Sequence, residues 1–590
     1  MDKTIRIGGA SGFWGDSCVG APQLVAHGQL DYLVFDYLAE LTLALLATAR
    51  SRDPTLGYAT DFVQVTMKAI LADVVGGGIR VISNAGGVNP QACAQALRAL
   101  ATEQGVTLKI AVVTGDDVTA ALPQMRAQGV GDLDGGAPLP DRLLSANAYL
   151  GALPIRAALD AGAQVVITGR CVDSAVTLGA LLHAFDWRED DWDRLAQGSL
   201  AGHLIECGCQ ATGGLHTDWQ DVPDWAHIGY PVLECQSDGG FVVTKPRGTG
   251  GLVNTAVVAE QLLYEIGDPR RYLLPDVTCD FTQVRLVQLG EHRVQVSGAR
   301  GIPPGPAYKV SATWFDGHRC TGQLTVVGLD AARKAQRTGE GILARTRELL
   351  ARRRWLPYTR THIEVLGSEI ANYGPHARGQ EVREVVLQVS VTHPQKEALE
   401  LFAREIAPAG TSWSPGTTGA SGRPAVAPVV RGISFLIDKG HVQPQVHLGT
   451  EVRAVAVRTG QAAVPPQQSI AAVDAVPPQP DWIEVPLVRL AWARSGDKGD
   501  QSNIGVIARS PEWLPWLRAQ LTPAAVKSWL GHLVLGDVTR YDLPGIHALN
   551  FVCMQALDGG GLASLRNDAL GKGMAQVLLA MPVRVPSGFS

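Results

Sequence analysis

The chain has 590 residues, of which 46% are hydrophobic, 18% are charged and 66 are glycine, with a formal net charge of −5. That length exceeds what one core can organise, so three or more domains are expected, and the balance of residues is that of a globular enzyme rather than a disordered chain. Lysine and arginine form no basic stripe, which argues against nucleic-acid binding, and the longest apolar run, near residues 41–49, is too short to cross a bilayer.

The opening "MDKTIRIGGASG" runs directly into a strand with no leader pattern, so a cytoplasmic protein with no membrane partner is expected. Short β-branched runs at 4–7, 32–35, 79–83, 108–113 and 164–168 predict strands, and apolar residues at helical spacing predict helices at 90–103 and 146–161. Alternation of this kind predicts an α/β core with a mainly parallel sheet over residues 1–279; a barrel of parallel strands is the rival topology. From 280 to 462 the rhythm changes to an α+β segment. It has a hairpin turning at Asp316-Gly317, a long helix at 329–353, strands at 362–366 and 385–391, and a helix at 395–406. Residues 463–483 are rich in Pro, Gln and Ala and read as a linker. Residues 484–590 then read as a ferredoxin-like α+β domain, with strands at 485–493, 504–508 and 548–554, two helices within 513–533 and a final helix at 562–580.

Each predicted strand of the first half ends in a short polar loop: "GGASGFWGD", "DYLAE", "NAGGVNP", "TGDD" and "GRCVDSA". In a parallel sheet these loops share the carboxyl edge, where α/β proteins bind ligands. They bring Ser11, Gly12, Asp16, Asp36, Glu40, Asn84, Gly86, Gly87, Asp116, Asp117, Arg170 and Asp173 to one cleft. Asp36 and Glu40 stand four apart, so on a helix they share a face and suit either acid/base work or a divalent ion. The plainer alternative is a helix cap at Asp36 with Glu40 in the first turn. Glu206 and Thr212, in "ECGCQATGG", lie among small residues that let a ligand approach. In "TKPRGTGG", Lys245 and Arg247 with the amides of Gly248 and Gly250 make an anion cradle, or else a positively charged hairpin tip. Gly9, Gly12 and Gly15 match a dinucleotide fingerprint only in part, with Asp36 placed like a ribose-binding acid; an NAD(P)-dependent oxidoreductase therefore stays open. The nine cysteines show no Cys-x-x-Cys pair, and Cys207 with Cys209 lack a partner segment, so no metal is expected.

Taken in order, "IGGASGFWGD", "DYLAELT", "SNAGG", "ANAYLGALPI", "TGRCVDSA", "GHLIECGCQATGG", "TKPRGTGG" and "RSGDKGDQSNIGVIAR" resemble the AtuA family of acyclic terpene utilisation over nearly the whole chain. Cys171 and Cys209 stand where other small residues would be expected, which weakens any role for their thiols. The resemblance implies an AtuA core joined to a ferredoxin-fold tail, and a setting in the breakdown of branched acids carried as coenzyme A thioesters. It assigns no catalytic residues. The reading that follows is a hydratase or lyase with no separate cofactor, coenzyme A being part of the substrate. Asp36, Glu40, Asp173 and Glu206 would be its acids and bases, and Arg170 or the amides of Asn84 to Gly87 its oxyanion donors. A non-catalytic acyl-CoA-binding subunit is the alternative. In the tail, Asp497, Lys498, Asp500 and Asn503 are expected to dock on the core, closing the cleft or holding an interface in a homo-oligomer.

Overall fold

The five apolar runs of the first half become the strands Thr4–Gly9, Tyr32–Phe35, Arg80–Ser83, Ile110–Thr114 and Val165–Thr168. The computed structural model describes residues 3–133, 135–378, 381–419, 422–460, 475–561 and 563–589. These strands carry few polar residues because both faces are covered: the interiors of Tyr32–Phe35 and Val165–Thr168 are wholly buried. They pair in parallel, in the order 4–9, 32–35, 80–83, 165–168, 110–114.

The parallel block is only the middle of an eleven-stranded mixed sheet, which corrects the expectation of a mainly parallel core. Antiparallel strands extend it on both sides: Val232–Gln236, Phe241–Thr244, Arg293–Ser297 and Arg285–Gly290 beyond residue 4, and Gln445–Leu448 and Glu451–Ala454 beyond residue 110. Outer strands taken from residues 285–297 and 445–454 tie the two halves of the core into one sheet. The extension is open at both ends, so the barrel topology is not formed.

Two local readings are corrected by long-range pairing. Residues 146–161 are not one helix. Ser145–Ala148 is a strand added to the long strand Ala307–Val327, and the helix begins at Leu153 with Pro154 in its first turn. The segment at Asp316-Gly317 is not a hairpin either. The 21-residue strand Ala307–Val327 runs straight through it, with a bulge opposite Val426–Asp438 that uses the left-handed φ of Gly317, +82°. Glu384–His393 and Arg360–Leu366 continue this second sheet. The helices Ala331–Arg352 and Lys396–Arg404 pack against it.

The expected linker falls largely on residues 461–474, outside the described residues; 475–482 hold no helix or strand before Ile483–Pro486. The tail sheet is antiparallel in the order 491–498, 501–508, 548–553, 538–543. Ala491–Lys498 and Gln501–Ala508 form a hairpin, so Asp497 and Lys498 end a strand and only Gly499 and Asp500 make the turn. The strand Val538–Leu543 was not anticipated, and the last helix is short, Met574–Leu579. No helix among the described residues is long and apolar enough to cross a membrane.

Candidate functional site

The carboxyl ends of the parallel strands do converge, and they do so on a cluster of buried charge. Asp36 follows Tyr32–Phe35 and is 6% exposed. Its Oδ1 accepts from Leu38 N at 3.2 Å and from the amide of Asn84, whose own Oδ1 accepts from Tyr37 N at 2.7 Å. Burial, then the neighbouring carboxylate of Asp173, push Asp36 well above the usual carboxylate range, with Arg170 opposing. Asp36 is therefore more easily protonated than an ordinary aspartate.

Asp36 and Glu40 do not share a helical face, contrary to their spacing. The helix Glu40–Arg52 starts at Glu40 itself, its N-cap residue is Ala39 and no side chain caps it, so the cap alternative for Asp36 also fails. Glu40 faces the second sheet instead: Tyr149 OH donates to its Oε1 at 3.1 Å and Lys309 Nζ lies 3.4 Å away. Burial would raise Glu40, but the ammonium groups of Lys309 and Lys498 and the guanidinium of Arg170 outweigh it and hold the carboxylate ionised.

Arg170 is 3% exposed and central. Its guanidinium stacks 3.9 Å over the Tyr149 ring, and Nη1 donates to Asp173 Oδ1 at 2.7 Å and to the Leu38 carbonyl at 3.0 Å. Its Nε is buried with no partner. Asp116 fixes this residue from behind: one carboxylate oxygen accepts from Arg170 N at 2.9 Å and Asn147 Nδ2 at 2.8 Å. Gly169 is required there, since a Cβ would stand 2.5 Å from that oxygen. Asp116 thus supports the site from beneath rather than facing a ligand, and burial raises its pKa to about 6. Asp117 is exposed and caps its own turn through Thr119 N.

Glu206 follows the helix Trp192–Ile205 and pairs with His203, Nδ1 to Oε1 at 3.1 Å. The other ring nitrogen faces the Leu262 carbonyl at 3.2 Å, an acceptor only, so it carries a hydrogen and a single proton is shared between Nδ1 and Glu206. Burial raises Glu206, against the pull of His203; in turn Glu206 raises His203 despite burial.

The tail domain completes the ring. Lys498 Nζ lies 2.9 Å from Glu265 Oε2, and Lys572 Nζ lies 3.3 Å from Asp497 and 3.7 Å from Glu265, while also donating to Tyr264 OH. The interface is fastened nearby by Arg509 on Asp218, at 2.6 Å to each oxygen, and by Arg494 on the buried Glu260 at 3.3 Å. Asn503 Oδ1 accepts from Glu265 N at 2.9 Å and its amide donates to Leu263 O at 2.6 Å. Asp500 instead closes its own domain through Leu557 N and Gly559 N.

Other expected contacts are engaged elsewhere. The Ala85 and Gly87 amides donate to Ser83 Oγ and the Asn84 carbonyl, and a Cβ at Gly86 would meet Thr168 O at 2.4 Å, so this turn packs on its neighbour rather than presenting an oxyanion hole. Gly12 packs on Cys207, where a Cβ would lie 2.8 Å from backbone. Asp16 accepts from Gly12 N, Ser17 N and Tyr230 OH, Ser11 donates to the Asp36 carbonyl, and Thr212 donates to the Cys209 carbonyl. The Lys245 ammonium donates to the Thr249 carbonyl of its own turn at 2.7 Å, while Arg247 and Gly248 are exposed beside it and Gly250 is buried against Asp224. Burial pushes the Cys171 and Cys209 thiols up to about 12. Among the described residues no group of three or more His, Cys, Asp or Glu is placed to hold a metal.

Tyr149, His203, Glu265, Lys309 and Lys572 are site residues that sequence reasoning missed. Tyr149 and His203 lie inside quoted motifs, and the i, i+3 spacing of His203 and Glu206 was a usable signal. Lys309 and Lys572 carry no local signal.

The family model for the acyclic terpene utilisation family protein AtuA matches residues 5–448. The chain belongs to this family. The AtuA ferredoxin-like domain matches residues 485–584, so the AtuA match supplies the parallel-strand loops and the second-sheet lysine, and the ferredoxin-like match supplies Asp497, Lys498 and Lys572. No match was found among curated proteins or among solved structures.

Proposed function

We propose that this AtuA member acts on branched, terpene-derived acyl-CoA thioesters by carboxylate acid/base chemistry, as a hydratase or lyase. The observation that carries the reading is the convergence of buried acids at the strand ends: Asp36, pushed up by burial and by Asp173, lies near Asp173, which Arg170 fixes, and near Glu206, which is paired with His203. Buried acids whose proton affinity is perturbed in this way are suited to proton transfer. In hydration, the Glu206–His203 pair takes a proton from water as its oxygen bonds to the β-carbon, and Asp36 delivers a proton to the α-carbon. The unpartnered Nε of Arg170 is the donor suited to the thioester oxyanion. The family's terpene setting points to branched acyl groups.

The oxidoreductase alternative finds less support, because Cys207 fills the space at Gly12 where a dinucleotide pyrophosphate would approach. The test is turnover of branched 2-enoyl and 3-hydroxyacyl coenzyme A esters by the purified protein, followed by mass spectrometry. Gain or loss of water, or fragmentation, is expected. Binding without conversion of any ester would favour the non-catalytic subunit.

A further inference from the structure

Three features of the tail hairpin exceed what docking two domains requires. The first is strain. Glu265 adopts φ +58°, a left-handed conformation that non-glycine residues rarely hold unless their surroundings impose it. Here the surroundings are two buried asparagines of the tail. Asn503 brackets the residue through Glu265 N and Leu263 O, and Asn550 donates to Ile266 O at 2.8 Å and Gly267 O at 2.7 Å. Gly496 lies so close that a Cβ would stand 2.6 Å from Glu265 Cγ. The second is redundancy, since Arg509–Asp218 and Arg494–Glu260 already join the domains outside the cleft.

The third is the gathering of like charge. Lys309, from the second sheet, and Lys498, from the tail, both bear on Glu40. Tyr149, and then Glu40, favour the charged form of Lys309, against repulsion from Lys498 and Arg170. Each lysine makes one direct ion pair among the described residues, at 3.4 Å for Lys309 and 2.9 Å for Lys498, and each remains substantially exposed, at 37% and 45% of its side chain. An ammonium has three donors, so one ion pair leaves each lysine with further capacity to donate. Behind them the buried Nε of Arg170 has no partner. Lys245, by contrast, is turned into its own loop.

We infer that Lys309 and Lys498 together receive an anionic phosphate group of the ligand, so that the C-terminal domain contributes a binding residue to the site. Naming that anion as part of a coenzyme A thioester rests on the function proposed above; the anion site itself does not. Asn503 and Asn550 are positioning residues, holding the strand and the Glu265 turn on which Lys498 is set.

The test is an amine-acylation footprint of the full chain, read by mass spectrometry with and without inorganic pyrophosphate at low salt. Pyrophosphate is expected to slow acylation of Lys309 and Lys498 by roughly tenfold at saturation, the effect of one charge-assisted contact. Lys396, ion-paired on an exposed helix face, and Lys245 are expected to be unchanged. In parallel, Lys498→Met should weaken binding of a branched acyl-CoA ester roughly tenfold at low salt, and less as salt rises, while Lys498→Arg retains it. Equal labelling with and without pyrophosphate would overturn the proposal, even if thioesters are turned over. Protection by pyrophosphate in a protein that binds no thioester would leave the anion site standing and remove the acyl-CoA reading.

Discussion

Two buried acids of this protein, Glu260 at the domain interface and Asp36 at the ends of the parallel strands, have different surroundings. Glu260 is fully buried, and its two oxygens accept from His216 Nδ1 at 2.8 Å, Thr217 N at 3.1 Å, Thr217 Oγ1 and Arg494 Nη2 at 3.3 Å. Asp36 is also buried, yet among the described residues no cation pairs with it directly; its partners are neutral amides, and its neighbouring charges include other carboxylates. Glu260 is thus surrounded by donors, whereas Asp36 has few and lies among other acids, which favours its protonated form. The first fastens the two domains, and the second is the group for which a part in proton transfer is proposed.

The comparison breaks most visibly at Arg494. Arg494→Met leaves Glu260 buried without its cation, and a loss of about 3–5 kcal/mol is expected, read as a lowered melting temperature. A near-normal melting temperature would show that Glu260 is satisfied by its neutral partners alone. For Asp36→Asn the opposite is expected, because asparagine keeps the shape of the side chain and removes a carboxylate that burial disfavours.

Acidity sharpens the contrast next. Burial raises Asp116, Asp276 and Asp497 to about 6, above the ordinary aspartate value near 3.8 that the unfolded chain restores. The folded protein then binds more protons than the unfolded one between these values, so stability is greatest at the acid end of that window and is lost as pH rises through 6. His203, also raised, adds to the same trend. Glu40 and Glu265 are held low by the lysines and oppose it only when pH falls below the ordinary glutamate value near 4.5. The melting temperature should therefore rise from pH 8 to about pH 5.5, and Asp116→Asn should flatten part of the slope. A melting temperature that falls over this range would contradict the assignment of these acids.

The smallest effect is expected at Lys245. Its hydrogen bond to Thr249 O closes a turn, so Lys245→Ala should cost about 1 kcal/mol of stability. Thioester binding should be unaffected by that change, in contrast to Lys498→Met. Weakened binding in a stable Lys245→Ala protein would return the anion to the glycine-rich turn.

How much of this was legible in the sequence follows from how far each signal reaches. The five parallel strands are short, β-branched and buried on both faces, so local pattern locates them, and the polar residue after each one locates the edge of the cleft. Asp36, Arg170 and Asp173 were found in that way, and Glu206, which follows a helix, from its small-residue surroundings. Local pattern does not say which strand pairs with which. The strand Ala307–Val327 was therefore broken at Gly317, and Ser145–Ala148 was absorbed into a helix, though the two are partners. Those two errors hid Lys309 and Tyr149, which flank Glu40 only because that pairing forms. Lys498 was singled out, but the hairpin that carries it reaches Glu265 through contacts between residues more than 200 positions apart.

The most direct test of the central claim measures Asp36→Asn twice on the same preparation, once for turnover of branched acyl-CoA esters and once for melting temperature. Asparagine keeps the shape of the protonated acid but cannot deliver its proton, so turnover should fall by about 10²–10⁴-fold with the melting temperature nearly unchanged. Turnover retained together with a lowered melting temperature would make Asp36 a structural residue and would contradict the account.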